Sequence, residues 1–270
     1  MNQADKLEEL KQKIREKQRL VVSYSGGVDS SLLALLAREA LGDNALAVIL
    51  DSETLPRREL AEAVALAEGL GLNFRVARHD ILQQEPFREN PPHRCYICKK
   101  SAIALLKSIA AAEGISYIAD GLNRDDCRER RPGTAACDEA GIWHPFVEAG
   151  MGKEDIRAAA LDLSLPVWNK PSSACLASRV PYGQPLTGQR LHMVEAAEDL
   201  LKKLGLGQLR VRAEGVGARI ELEKQEMEKA LKMGEEISSK LKALGFSYVS
   251  LDLEGYRSGS MDEVLWTSRD

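Results

Sequence analysis

A short run of β-branched and small residues, Leu20–Ser25 (LVVSYS), stops at two consecutive glycines and resumes as an apolar-periodic helix from Ser30 to Leu41. This strand–turn–helix unit, with Ser25-Gly26-Gly27-Val28-Asp29-Ser30 at its centre, is the feature that most narrows the possible folds. Gly26 and Gly27 let the backbone turn tightly and approach an anion with no Cβ in the way. The helix that follows aims free N–H groups and the positive end of its dipole at that anion. Ser23, Ser25, Ser30 and Ser31 add hydroxyl donors. Ala45–Asp51, Asn73–Ala77 and Ser116–Gly121 read as further strands, and Arg57–Leu70 and Lys99–Glu113 as helices between them. Such alternation predicts an α/β fold, a parallel sheet with helices on both faces. Ligands bind such sheets at the C-terminal ends of the strands.

Three segments interrupt the alternation. Gln83–Lys100 contains Pro86, Pro91, Pro92 and the pair Cys95 and Cys98, and Asn123–Gly141 is dense in charge from Arg124 to Arg131. Both read as long loops, which in compact domains are usually functional or mobile. Lys170–Gly188 reads as a linker. Beyond it, Gln189–Leu204 and Gln225–Leu244 have helical patterns, and Gln208–Ala213, Ala218–Glu223 and Tyr248–Leu253 have strand patterns. The expected organisation is a nucleotide-binding domain over 1–168, then a linker and a small C-terminal α+β domain over 169–270. Leu7, Leu10 and Ile14 mark an N-terminal helix, read as solvated and amphipathic.

Lys plus Arg number 37 against 41 Asp plus Glu in 270 residues, a net charge of −4, with 44% hydrophobic residues. That profile fits a soluble globular protein and argues against a nucleic-acid coat, which needs a basic excess. No run approaches the roughly 18 apolar residues of a membrane span, and Met1–Leu20 lacks the apolar block of a signal peptide. The five cysteines, Cys95, Cys98, Cys127, Cys137 and Cys175, are odd in number. The expectation is a cytoplasmic protein with thiols rather than bridges.

The glycine turn narrows the nucleotide chemistry. The chain lacks the P-loop signature G-x-x-x-x-G-K-[ST] and has no G-x-G-x-x-G after its first strand. SGGVDS resembles the signature of the PP-loop ATP pyrophosphatases, the superfamily of asparagine, GMP and NAD synthetases and tRNA thiolases. The resemblance implies ATP cleavage between the α and β phosphates and adenylation of a poor electrophile. It places Ser23, Ser25, Gly26, Gly27, Val28, Asp29, Ser30, Asp51 and Gly121 around ATP, with Asp29 holding Mg²⁺ and Asp125 and Asp126 as further candidate Mg²⁺ ligands.

The window Lys170-Pro-Ser-Ser-Ala-Cys175-Leu-Ala-Ser-Arg179-Val-Pro-Tyr-Gly183 sets a thiol between two cations in sequence, and cations favour the reactive thiolate. A buried thiol used as a small hydrophobe is the other reading. The window resembles the sacrificial-sulfur loop of the LarE family of ATP-dependent sulfur transferases, which supply sulfur to the nickel-pincer nucleotide of lactate racemase. The likeness extends through Arg94-Cys-Tyr-Ile-Cys-Lys99, Gly121-Leu-Asn-Arg-Asp-Asp126, Arg210-Val-Arg212 and Gly255-Tyr-Arg-Ser-Gly259. It implies that Cys175 is catalytic, that Ser178, Arg179, Arg210 and Arg212 meet a small phosphorylated pyridinium carboxylate, and that the chain forms a hexamer. Arg210 and Arg212, two apart on a strand, share one face and suit a phosphate, or else pair across the sheet with residues such as Glu221. Glu198 reads as a solvated helix position, the family's hexamers implying as the other reading a carboxylate site between subunits, and no residue identifies itself as the base that removes the Cys175 α proton.

Cys95 and Cys98 could bind zinc with Cys127 and Cys137, or an iron–sulfur cluster as in some members of the family, but the spacing of the second pair is wide for structural zinc. His79, His93, His144 and His192 have no ligand spacing and read as structural. A tRNA thiolase would be expected to carry a basic RNA-binding domain, and a nucleotide sensor needs no reactive thiol. A preQ₀-type ligase needs cysteines beyond Cys175, and the sequence has none there.

Overall fold

Strand β1 (Leu20–Ser23) divides its side chains between two cores, alternating as a strand must. Leu20 and Val22 pack in one core and Val21 in the other. The computed structural model describes residues 3–128, 132–171, 173–257, 259–263 and 265. Glu129, Arg130, Arg131, Ser172 and Ser258, which belong to windows singled out in the sequence, lie outside them. The chain divides into two compact units, 1–81 with 95–173, and 82–94 with 174–270. The sequence reading draws one boundary after 168 and leaves the excursion 82–94 in the first domain.

In the first unit, α1 (Gln3–Glu16) precedes β1, followed by α2 (Val28–Leu41), β2 (Ala45–Asp51), α3 (Arg57–Gly69) and β3 (Phe74–Arg78). A four-residue helix α4 (Glu85–Arg88) belongs to the second unit. The chain continues through α5 (Arg94–Ala112), β4 (Ile118–Ala119), α6 (Pro132–Ala140), α7 (Pro145–Glu148) and α8 (Lys153–Asp162). The four strands form one parallel sheet in the order β3–β2–β1–β4. Trp143 adds a parallel bridge to Ala119 beyond β4. Helices α1, α2, α3 and α8 contribute to the core on one face, through Leu10, Leu33, Ala63 and Ile156. The opposite core takes Ile103, Leu106 and Ile109 from α5 with Ala136 and Cys137 from α6. The sheet is therefore covered on both faces, as the alternation requires.

Four expectations change. Helix α5 begins at Arg94 rather than Lys99, so Cys95 and Cys98 are helical, one turn apart. Pro91 and Pro92 lie in the short turn just ahead of it. The described residues of the 123–141 segment form a 3₁₀ turn (Asp126–Arg128) and α6. Helix α8 was not foreseen, because its buried stripe, Ile156, Ala159 and Ala160, is mostly alanine and gives little hydrophobic signal. The N-terminal helix is not merely solvated, since Leu10 and Ile14 are fully buried in the first core.

The second unit carries α9 (Gly188–Lys203), the antiparallel pair β5 (Leu209–Glu214) and β6 (Gly217–Leu222), α10 (Met227–Lys232), α11 (Gly234–Ala243) and β7 (Tyr248–Leu251). Strand β7 runs parallel to β6, giving a mixed sheet β5–β6–β7. The single helix expected over 225–244 breaks at Met233, where the backbone leaves helical geometry ahead of Gly234, a poor helix former. No helix among the described residues is long and apolar enough to cross a membrane.

Candidate active site

The glycine turn lies at the C-terminal rim of the parallel sheet. Ser23 ends β1, Ser25 follows, and Gly27 stands at the N-cap of α2 with no side chain to cap it. The first-turn amides of α2 therefore lack a side-chain acceptor, as an anion site needs. Gly26 has φ +72°, and a Cβ there would lie 2.7 Å from that of Ala63 on α3. Ser30 knits the loop: its hydroxyl accepts from the Ser25 N–H at 3.1 Å, lies 3.1 Å from the Ser25 hydroxyl, and donates to the Gly27 carbonyl at 3.2 Å. Val28, the first residue of α2, is buried in the core.

Asp29, in the first turn of α2, is held from the side. Its Oδ1 accepts from Asn123 Nδ2 at 3.1 Å, and its Oδ2 accepts from Lys153 Nζ. Gly121 lies close to the same turn, where a Cβ would sit 2.9 Å from the Ser30 nitrogen. Asn123 also accepts from the amides of Asp125 and Asp126 and donates to Asp126 Oδ2 at 2.7 Å. Asp125 Oδ2 accepts the Lys153 amide at 2.8 Å, fixing the start of α8. The 121–126 window thus brackets Asp29, with Asp125 and Asp126 engaged in the bracket itself. At the end of β2, Asp51 accepts from Arg57 Nη1 at 2.6 Å, and Arg57 also donates to the carbonyls of Ser52 and Leu55.

In the second unit, Cys175 is exposed and precedes a 3₁₀ turn, Leu176–Arg179. Arg179 is only 2% exposed and reaches back under this turn. Its Nη1 donates to the carbonyls of Ala174 at 2.7 Å and Cys175 at 3.1 Å, while Nε and Nη2 bind both oxygens of Glu198. Glu198, 4% exposed, also accepts the Val211 amide of β5. Ser178 donates its hydroxyl to the Cys175 carbonyl at 2.8 Å. Arg212 pairs with buried Glu221 through Nε at 2.8 Å and Nη2 at 2.7 Å, and donates to the Ser178 carbonyl at 2.6 Å. Two buried Arg–Glu pairs therefore brace the cysteine turn from behind.

Arg210 differs. It donates to the Leu209 carbonyl, lies over the Tyr256 ring at 5.1 Å, and has no carboxylate partner among the described residues. Burial and the neighbouring Arg179 charge pull its pKa below the usual arginine value.

The chain is similar over nearly its whole length to a curated enzyme. It is 39% identical over 253 residues to the pyridinium-3,5-bisthiocarboxylic acid mononucleotide synthase of Lactiplantibacillus plantarum, covering 93% of this chain and 92% of that one. The chain belongs to the LarE family of ATP-dependent sulfurtransferases. An uncharacterised protein of Synechocystis is 40% identical over 263 residues, 96% of this chain and 98% of its own. Another from Methanocaldococcus jannaschii is 32% identical over 256 residues, 94% and 98%. The NAD synthase family model matches residues 3–85, the part that carries the glycine turn.

Within this LarE-family chain, several sequence readings need correction. Glu198 is buried, not a solvated helix position, because Arg179 and a β5 amide claim it. Of the two readings left open for the β5 guanidiniums, Arg212 takes the cross-strand one, paired with Glu221. Lys170 is bound by Glu59 at 2.7 Å and Glu62 at 3.0 Å, so its charge is already answered. No group of three or more His, Cys, Asp or Glu that could hold a metal occurs among the described residues. Lys153 was missed altogether. Its signal was a cation in the first turn of a helix, against the dipole preference, followed by acidic Glu154 and Asp155 that mark that end.

Proposed function

We propose that the chain uses Mg·ATP to adenylate a carboxylate of a pyridinium biscarboxylic acid mononucleotide, releasing pyrophosphate, and then sulfurates it with its own Cys175. A carboxylate resists nucleophiles, so the first step attaches AMP as a leaving group. The glycine turn and the amides of α2 receive the phosphates, and Asp29 is the carboxylate placed for the magnesium that accompanies ATP. Lys153, parked on Asp29, supplies positive charge to the departing pyrophosphate. Arg210, with no salt-bridged carboxylate among the described residues, takes the phosphate of the mononucleotide, with Ser178 beside the cysteine turn.

The Cys175 thiolate then attacks the acyl carbon and displaces AMP, leaving a thioester. Removal of the Cys175 α proton breaks the Cβ–S bond, whose electron pair leaves on sulfur. The product is a thiocarboxylate, and dehydroalanine remains at position 175. The wider reading follows the family: each chain turns over once, acts in the cytoplasm as a hexamer, and serves the nickel-pincer cofactor of lactate racemase. The observation that carries the proposal is an exposed thiol on a turn braced by Arg179, in a chain similar throughout to the curated synthase. Cys175→Ser tests it. A serine hydroxyl without a base is scarcely ionised, so this variant should still release pyrophosphate and hold the acyl-adenylate, yet form no thiocarboxylate. Thiocarboxylate formation at the wild-type level would remove Cys175 from the chemistry.

A further inference from the structure

Behind the nucleotide loop, within the first unit, a buried polar assembly surrounds Asp120, the residue between β4 and Gly121. Asp120 is 6% exposed. Its Oδ1 accepts from His144 Nδ1 at 2.6 Å and from the Leu122 amide at 3.2 Å. Its Oδ2 accepts from Lys99 Nζ at 3.2 Å and from the Cys137 thiol at 3.4 Å. Its own amide donates to the Trp143 carbonyl at 3.1 Å. One carboxylate thus ties α5, α6 and the segment before α7 to the end of β4. Burying such a group is costly unless it is paired and fully hydrogen-bonded, as it is here. The adenylation chemistry does not itself use Asp120, but Gly121 and Asn123, which follow it, are the residues set against Ser30 and Asp29.

We propose that Asp120, gripped by His144 and Lys99, is a positioning residue for adenylation: it fixes the 121–123 backbone so that Asn123 orients Asp29. The proposal rests on the adenylating function argued above. The charges agree with the geometry. Burial disfavours the His144 imidazolium, but the hydrogen bond and charge of Asp120, with the charge of Asp138, outweigh it and raise its pKa. The groups facing His144 are Asp120, Lys99 of α5 and Asp138 of α6, whose Oδ1 lies 3.4 Å from Nε2. Losing the proton leaves an imidazole lone pair opposite Asp138 and removes one of the two cations on Asp120.

The test is the pH dependence of pyrophosphate release, compared with the ring titration of His144 by NMR in the full chain. The wild-type single-turnover rate of pyrophosphate release should fall as pH rises through the His144 pKa measured by NMR, which should lie above 6.5, the ordinary value. His144→Gln should abolish that limb and lower the single-turnover rate about 10- to 100-fold at lower pH, the scale of a small misplacement of reacting groups. Asp120→Asn should move the limb and the NMR titration downward together. A His144 ring that titrates at or below 6.5 in the wild type overturns the proposal even if neither variant folds. An alkaline limb that persists unchanged in His144→Gln overturns it while leaving the adenylating function intact. A wild type that consumes ATP without releasing pyrophosphate overturns both.

Discussion

Arg179 and Arg210 lie in one unit, were read alike from the sequence, and should behave oppositely when replaced. Arg179 is sealed against Glu198, and removing one partner of a buried ion pair leaves the other charge unanswered. Arg179→Ala should therefore cost roughly 3–5 kcal/mol of stability, read as a lowered urea midpoint. Arg210→Ala should leave that midpoint nearly unchanged and weaken binding of the phosphorylated substrate by about 1.5–3 kcal/mol, the worth of a charge-assisted hydrogen bond. Calorimetric titration with the mononucleotide checks the second half, and unchanged affinity would assign Arg210 to the fold. The sequence could not separate the two. Spacing shows that Arg210 and Arg212 share a strand face, but which guanidinium meets a buried glutamate depends on α9 and β6, brought in by tertiary packing. Cys137 carries the same lesson, since burial pushes its thiol up to about 12 and makes it inert, which spacing cannot reveal.

At the scale of elements, the Asp120 network joins four segments, and its stability contribution should follow pH. His144, raised in the folded state, contributes stability that is complete below 6.5 and is lost as pH rises through its folded pKa. Asp120 is held far below 3.8 because His144 and Lys99 outweigh its burial, so its contribution is complete above 3.8 and lost only as pH falls further. Urea unfolding should show that wild-type stability exceeds that of His144→Gln at pH 6, and that the gap narrows by pH 9. A gap that widened with rising pH would contradict the assignment of charges. The strands and their helices were legible at this scale because β1 and β2 are buried on both faces and read as unbroken apolar runs. Helix α8 was not, since alanines fill its buried face, and α5 was shortened because Pro91 and Pro92 look the same before a helix as within a loop.

Across the whole molecule, the α/β class and the C-terminal α+β element order could be read from periodicity, because both depend on local alternation. The grouping of residues 82–94 could not. Residues 82–94 join the second unit through contacts such as Asn90 Nδ2 with the Val180 and Pro181 carbonyls, 90 positions or more away in sequence. Of the candidate site, SGGVDS and Cys175 stood out because each sits in a contiguous window, whereas Lys153 meets Asp29 across 124 positions and left no local pattern. The central claim is that the sulfur comes from the polypeptide. Intact-mass spectrometry of the purified chain after one turnover with Mg·ATP and the pyridinium mononucleotide tests it most directly. The account predicts a chain lighter by one H₂S, with the loss mapped to Cys175 as dehydroalanine and one thiocarboxylate formed per chain converted. A chain of unchanged mass that has nonetheless made thiocarboxylate would contradict it, because the sulfur would then have come from elsewhere.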